Sequence, residues 1–288
     1  MAIPKRVLIT GARGLLGTPT TTLFRAAQGV EVSAVGHLEF DITDEAAVCR
    51  HVDAFRPDLV INCAAFTKVD ACEEQHALAD RVNGYGAGIV AAAAAAHGAR
   101  LIHVSTDYVF DGQATRPYRE DHPTGNPRAL CAYGRSKLLG EQRVAAAHPA
   151  AIIVRTAWVY GEDGPCFPRT ILRLAGERPL LRVVSDQTGS PTYARDLAGA
   201  LFELARTNAQ GVFHVTNAGQ CTWFEFAREI VMQAGLGTPV EPIATEDYPL
   251  PARRPKYSVL DNGRYVTTAG RPLRPWREAL SEYLRRAS

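Results

Sequence analysis

The chain has 288 residues, a mass of 31.2 kDa and 46% hydrophobic residues, enough to bury the core of one large domain or two closely joined ones. Its 32 basic and 30 acidic residues leave a formal net charge of +2, which argues against nucleic acid or an anionic membrane surface as the main partner. The opening "MAIPKRVLITG" has an apolar run too brief for a signal peptide and far below the roughly 20 residues of a membrane span, so small-molecule chemistry in the cytoplasm is expected.

Apolar, β-rich runs at "RVLIT", "VEVSAV", "DLVINCA", "RLIHVST" and "AIIVRTAW" alternate with helix-like stretches near 14–27, 44–55, 71–96 and 133–147. That alternation predicts an α/β fold of the doubly wound Rossmann type, with a parallel sheet covered on both faces. The tract "VAAAAAAHGAR" reads as a packing helix, because alanine has the highest helix propensity and lets a helix lie close on a sheet. Residues 1–156 form the predicted dinucleotide-binding domain. Beyond Trp158 the pattern loosens into proline- and glycine-rich pieces, with helices near 167–176, 193–206 and 222–234. Residues 157–288 are therefore expected to form a smaller, less regular substrate lobe that returns some segments to the first domain. Cysteines at 49, 63, 72, 131, 166 and 221 form no C-x-x-C pair and no His/Cys ligand spacing. Reduced thiols are expected, and no metal site.

"LITGARGLLG" places Gly11, Gly14 and Gly17 after the first strand and at the opening of a helix. Glycines there allow a tight turn and close approach to a pyrophosphate, whose charge sits at the helix N-terminus. A ribose-binding acid is expected about 20 residues on, at the tip of the second strand. Val35, Gly36 and His37 supply no carboxylate at that tip. Arg13, inside the turn, has two readings: a partner for a 2′-phosphate, which favours NADPH over NADH, or a solvated turn residue.

Tyr133 and Lys137 lie four apart in the helical run "AYGRSKLLGEQRVAAA", so they share one helical face. A free phenol has a pKa near ~10, and a neighbouring ammonium is expected to lower it. Lys137 is also placed to hold ribose hydroxyls of the cofactor. Thr106 follows the fourth strand, at the sheet edge where doubly wound folds bind ligands, and its hydroxyl can polarise a carbonyl. Together they suit reduction of a ketone, with Thr106 stabilising the oxyanion and Tyr133 delivering the proton.

With "GARGLLG", "STDYVFDG", "YGRSK", "RTAWVYG", "DQTGSPTYARDLA", "GVFHVTNAGQCTWFEFA" and "RPKYSVLD", the chain resembles the extended short-chain dehydrogenases/reductases, and within them the dTDP-4-dehydrorhamnose reductase family, over nearly its whole length. The resemblance implies Thr106, Tyr133 and Lys137 as catalytic residues. It implies Gly14, Leu15, Leu16, Asp41, Ile42, Ala65, Phe66 and Thr67 around the cofactor, with Asp107, Tyr108, Trp158 and Arg254 toward a dTDP-sugar substrate. Simpler roles stand beside these: helix capping for the "DITD" stretch, a core aromatic for Trp158, and a solvated surface cation for Arg254.

The chain departs from the family pattern at Val104, where an aromatic residue can border the nicotinamide, and at Thr18-Pro19 and "TYARD", where some members carry magnesium-binding glutamates at a dimer interface. Neither magnesium nor that dimer is implied, and the oligomeric state stays open. Two other functions share the motifs: a reductase of another dTDP-4-keto-6-deoxy sugar, and a non-catalytic regulatory subunit like the β-subunit of methionine adenosyltransferase. "DQTGSPTYARDLA" favours the reductases.

Overall fold

The computed structural model describes residues 3–37 and 39–287. In chain order the elements are β1 (Arg6–Thr10), α1 (Gly17–Ala26), β2 (Glu31–Val35), α2 (Glu45–Phe55), β3 (Leu59–Asn62), α3 (Val69–Glu74), α4 (His76–Ala79), a π-turn (Asp80–Gly86), α5 (Ala87–Ala96), β4 (Arg100–Thr106), α6 (Ala132–Ala147) and β5 (Ile152–Thr156). There follow β6 (Val159–Tyr160), α7 (Phe167–Glu177), β7 (Leu181–Val184), β8 (Thr188–Gly189), β9 (Thr192–Tyr193), α8 (Ala194–Ala205), β10 (Gly211–His214), β11 (Cys221–Thr222), α9 (Trp223–Gln233), β12 (Val240–Ile243), α10 (Gly263–Ala269) and α11 (Trp276–Ala287).

Six parallel strands form the central sheet in the order β10-β5-β4-β3-β1-β2. The chain winds outward from β1 to β2, then crosses back to β3 on the other side of β1. A crevice therefore opens at the C-terminal ends of β1 and β3. Strand alternation divides the apolar residues between two faces. Val7, Ile9, Ile61 and Val154 pack with Phe24 of α1 and Leu197 and Leu201 of α8. Leu8, Val60, Leu101 and Ile153 pack with Val48 and Val52 of α2 and Ala91 and Ala94 of α5. The alanine tract thus forms a helix whose small side chains let it lie against the sheet. Both α8 and β10 come from beyond residue 156 yet join this layer. A separate aromatic core, built on Tyr160, Tyr193, Phe226, Trp276 and Tyr283, gathers α7, β7, α9 and α11, whereas Tyr265 of α10 joins the layer of α8.

The single helix expected over 71–96 is broken into α3, α4, the π-turn and α5. A π-turn inserts an extra residue into the helical ladder and often marks a functional position. This one contains Asn83, which is buried.

Helix α6 is fixed to the sheet by a buried ion pair. The Arg155 guanidinium on β5 donates from Nε to Glu141 Oε1 at 2.9 Å and from Nη2 to Oε2 at 2.7 Å. Ser105 Oγ, on β4, donates to the same Oε1 at 2.6 Å. Removing one member of such a pair leaves an uncompensated charge in the interior. Glu141→Ala is therefore expected to lower the unfolding free energy by about 3–5 kcal/mol, measured by urea denaturation at neutral pH. A loss no larger than that of an exposed ion pair would show that Arg155 finds another partner.

Candidate active site

At the end of β1 the chain turns through Gly11 with φ of +65°. A Cβ there would lie 2.6 Å from the Ala64 nitrogen, so only glycine lets this turn close on the segment after β3. At Gly17 a Cβ would run into the Gly11 carbonyl oxygen, and Gly14 N donates to that oxygen at 3.0 Å. Helix α1 starts at Gly17 behind Leu15 and Leu16, with no side chain capping its N-terminus and no acid in its first turn. Uncapped amides at the positive end of a helix, beside a close glycine turn, fit a pyrophosphate.

Across the crevice, Ala65, Phe66 and Thr67 follow β3. Asn83 grips this segment from the π-turn: Phe66 N donates to Asn83 Oδ1 at 2.7 Å, and Asn83 Nδ2 donates to Phe66 O at 3.0 Å. The same amide reaches Ser136 Oγ at 2.9 Å, and Ser136 Oγ donates to Tyr133 O at 2.8 Å. Asn83 therefore ties the expected cofactor loop to α6. It escapes a motif-based reading because its neighbours "RVNGYG" carry no recognised pattern. Ile42 is buried in the core face, whereas Asp41 is exposed and accepts from Thr43 N at 2.8 Å.

The tip of β2 corrects the sequence reading. A turn closed by Glu39 N on Gly36 O at 3.0 Å folds Glu39 back, and Gly36 N donates to its Oε2 at 2.7 Å. The carboxylate pairs with Arg13. The Gly36 amide and the Arg13 guanidinium hold Glu39 below the usual carboxylate range. An acid does stand at the strand tip, four residues past the strand end, where spacing alone did not place it. Arg13 is neither free in the turn nor simply solvated.

At the C-terminal end of β4 and the N-terminal part of α6 the groups expected to be catalytic lie close together. Thr106 Oγ1 donates to Asp107 Oδ1 at 3.0 Å and accepts from Tyr108 N at 3.2 Å. Tyr108 and Tyr133 meet edge to face at 5.4 Å. Lys137 is buried and donates from Nζ to Val104 O at 2.7 Å. Burial pushes the Tyr133 phenol above its ordinary pKa, opposed by the Thr106 hydroxyl and assisted by the Asp107 charge. This reverses the shift expected from the Tyr-x-x-x-Lys spacing, because desolvation outweighs any effect of the ammonium. Lys137 is itself pushed down to about 8 by burial, opposed by Glu141. Asp107 is pushed up to about 6 by burial, opposed by hydrogen bonds from Ser258 and Thr106, and its Oδ2 has no partner. The phenol is thus kept in its acid form.

Beside Tyr108 opens a cavity of about 800 Å³. Its walls combine aromatic rings, Phe167, Trp223 and Tyr257 among them, with the cations Arg178, Arg253, Arg254 and Lys256. Trp158 does not line it. That residue, at φ of +48°, stacks on Trp223 with ring centroids 3.4 Å apart and supports the wall from behind. Trp223, in the stretch "CTWFEFA", is a lining residue that sequence reading did not single out. Arg254 lines the cavity, but it is largely buried and bonded to Asp70 rather than solvated. Among the described residues no cluster of metal-ligating side chains occurs, and no helix is long and apolar enough to cross a membrane.

Asp107 gives a pH-dependent expectation. Its folded pKa, about 6, lies above the unfolded value, so its contribution to stability is full below pH ~4 and is lost as pH rises through 6. Asp107→Asn should therefore unfold later than the wild type at pH 7–8, by about 1–3 kcal/mol. The gap should vanish below pH ~4. Thermal melts across this pH range check it; a gap that does not change with pH would mean that Asp107 is ionised without penalty.

The comparisons with known proteins agree with this architecture. A dTDP-4-dehydrorhamnose reductase of Streptomyces griseus is 45% identical over 284 residues, covering 96% of this chain and 92% of the relative. A protein of Streptomyces antibioticus named "Probable dTDP-4,6-dihydroxy-2-methyloxan-3-one 4-ketoreductase" is 43% identical, covering 96% and 94%. The crystal structure of dTDP-4-dehydrorhamnose reductase from Bacillus anthracis in complex with NADP superimposes with a TM-score of 0.92 at 39% identity, over 98% of this chain and 99% of that one. The family model described as RmlD substrate binding domain matches residues 5–288, and the chain belongs to that family.

Proposed function

We propose that the chain is an NADPH-dependent reductase that converts the C4 keto group of dTDP-4-dehydro-β-L-rhamnose to the alcohol of dTDP-L-rhamnose, with NADH left open as a second cofactor by Glu39. The observation that carries this reading is a buried phenol, Tyr133, packed edge to face on Tyr108 of the cation-lined cavity's wall, in a fold whose first helix opens uncapped behind a close glycine turn. The family relationship supports the substrate class. Six free cysteines suit a reducing compartment, in line with a cytoplasmic enzyme.

When bound, the nicotinamide supplies the hydride that reaches the carbonyl carbon. Thr106 donates its hydroxyl to the developing oxyanion, releasing its bond to Asp107, and Tyr133 transfers its phenolic proton to that oxygen. Lys137 has one N–H fixed on Val104 O, which leaves two for the ribose hydroxyls of the cofactor. Gly11, Gly14, Leu15, Leu16 and Gly17 take the pyrophosphate, Asp41 and Ile42 border the adenine, and Ala65, Phe66 and Thr67 form the opposite wall. Tyr108 closes the substrate cavity next to the reacting carbon. We also assign the division of labour along the chain: residues 1–156 mainly hold the cofactor and residues 157–288 mainly the sugar nucleotide.

The near-equal identity to the two Streptomyces relatives favours a second reading, a reductase of a different dTDP-4-keto-6-deoxy sugar. Mixing the purified chain with NADPH and each keto-sugar in turn, and following the loss of nicotinamide absorbance, separates the two readings. No turnover with any of them would remove the enzymatic assignment and favour a non-catalytic subunit.

Tyr133→Phe should keep cofactor affinity while turnover falls by about 10²-fold or more, the contribution of a positioned general acid. Turnover close to wild type would assign the proton to another group. For the cofactor, Arg13→Ala should lower the NADPH:NADH affinity ratio by roughly 10- to 100-fold, whereas Glu39→Gln, which frees Arg13, should raise it by roughly 5-fold. Fluorescence titrations of both cofactors decide this, and equal losses for the two in Arg13→Ala would leave the arginine with a purely structural part.

A further inference from the structure

The cavity's most constrained cation is Arg254. It lies in the segment 245–256 that supplies one wall of the cavity, through Tyr248, Leu250, Ala252 and Lys256. Asp70, the second residue of α3, faces it from the other half of the molecule, directly after the Ala65-Phe66-Thr67 loop. Arg254 Nη1 donates to Asp70 Oδ1 at 2.5 Å and Nη2 donates to Oδ2 at 2.7 Å. Nη1 also donates to Ala252 O at 2.7 Å, and Ala252 N donates to Asp70 Oδ1 at 3.1 Å. Asp70 is held below the usual carboxylate range by Arg254 and then by the Ala252 amide.

A guanidinium has five N–H donors in a rigid plane. Three are committed here, two to Asp70 and one to Ala252. The two that remain are Nε–H and the outer Nη2–H, which lie side by side along one edge of the plane. Two parallel donors on one edge match two oxygens of a phosphate. Arg254 also lines a pocket with Tyr108, which packs on Tyr133, so the guanidinium stands one ring away from the proposed reactive centre. An unpaired arginine would give up its rotamer freedom on binding a ligand; one already fixed by a carboxylate has lost it in folding.

We propose that Asp70 is a positioning residue for substrate recognition: it occupies the end of the Arg254 guanidinium and so presents the opposite edge to the diphosphate of a nucleoside-diphosphate sugar. The inference rests on the nucleotide-sugar reading of the cavity and adds to it the residue that orients the phosphate ligand. Asp70 touches neither the substrate nor the cofactor; it acts through Arg254.

The test titrates the full-length protein with dTDP and, separately, with thymidine, which lacks the phosphates, using calorimetry or NMR shifts. In Asp70→Asn the affinity for dTDP should fall by roughly 10- to 100-fold, as for loss of a charge-assisted hydrogen bond, with thymidine nearly unaffected. Asp70→Glu should recover part of the loss. The KM for the keto-sugar nucleotide should rise in Asp70→Asn by a similar factor while kcat stays within about 3-fold. Arg254→Gln should lose dTDP affinity to the same extent, and the double variant should lose no more than either single one. If Asp70→Asn does not fold, the comparison of dTDP with thymidine in Asp70→Glu decides the matter: a loss confined to dTDP supports the inference, and none overturns it. Unchanged dTDP affinity in Asp70→Asn, or equal losses for dTDP and thymidine, would overturn the inference while leaving an active wild type's function intact. A wild type that binds dTDP no better than thymidine would overturn it together with the reading of the cavity.

Discussion

The placement of α6 across the ends of β4 and β5 depends on one buried carboxylate. Glu141 takes two donors from Arg155 on β5 and one from Ser105 on β4, so a single side chain sets the helix against two strands at once. Inside the protein such a pair gains strength from the low dielectric, and its geometry is strict because every unsatisfied donor is costly. Ser105 is the neighbour of Thr106, and Tyr133 and Lys137 are two turns and one turn before Glu141 on the same helix. Fixing Glu141 therefore fixes the distances among all the groups assigned to proton transfer. Asn83 and Ser136 do the same for the Ala65-Phe66-Thr67 loop, through hydrogen bonds that also end on α6.

Burial then sets the protonation states. Tyr133 and Asp107 are pushed up and Lys137 down, so all three are shifted toward their neutral forms. For a ketone reduction this suits the part proposed for the tyrosine, that of giving up a proton. It disfavours the charge of Lys137, which has the Glu141 carboxylate and a backbone carbonyl for support. Asp107 is the most exposed to this conflict: one oxygen is bonded to Thr106 and the other has no partner. The charge that destabilises the fold at Asp107 adds to the burial that raises the pKa of the neighbouring phenol.

The cavity beside Tyr108, in contrast, is made by segments far apart in the chain. Its floor at Tyr108 belongs to the end of the central sheet, its aromatic wall to α7 and α9, and its basic strap to residues 245–256. Asp70 and Arg254 are 184 residues apart in sequence and close this arrangement with a bidentate pair. The stacked indoles of Trp158 and Trp223 brace the opposite wall. A ligand that bridges floor and strap would engage both halves of the molecule at once.

Periodicity and punctuation in the sequence determined most of the half that carries β1 to β5. Strands buried on both faces read as short apolar runs, the glycine turn is demanded by close contacts of Gly11 and Gly17, and the four-residue spacing of Tyr133 and Lys137 is a local property of one helix. Only the tertiary structure decided the features that depend on where distant side chains end. Glu39 reaches the tip of β2 because a turn reverses the chain at Gly36, which a residue count from the strand cannot show. The rise in the Tyr133 pKa follows from desolvation by the assembled site, whereas the sequence displays only the nearby lysine. Trp223 rather than Trp158 faces the cavity because the two rings stack, and the partner of Arg254 was invisible because Asp70 lies in another half of the chain. Local hydrogen bonding and hydrophobic periodicity are written in neighbouring residues; burial and long-range pairing exist only once the chain has closed on itself.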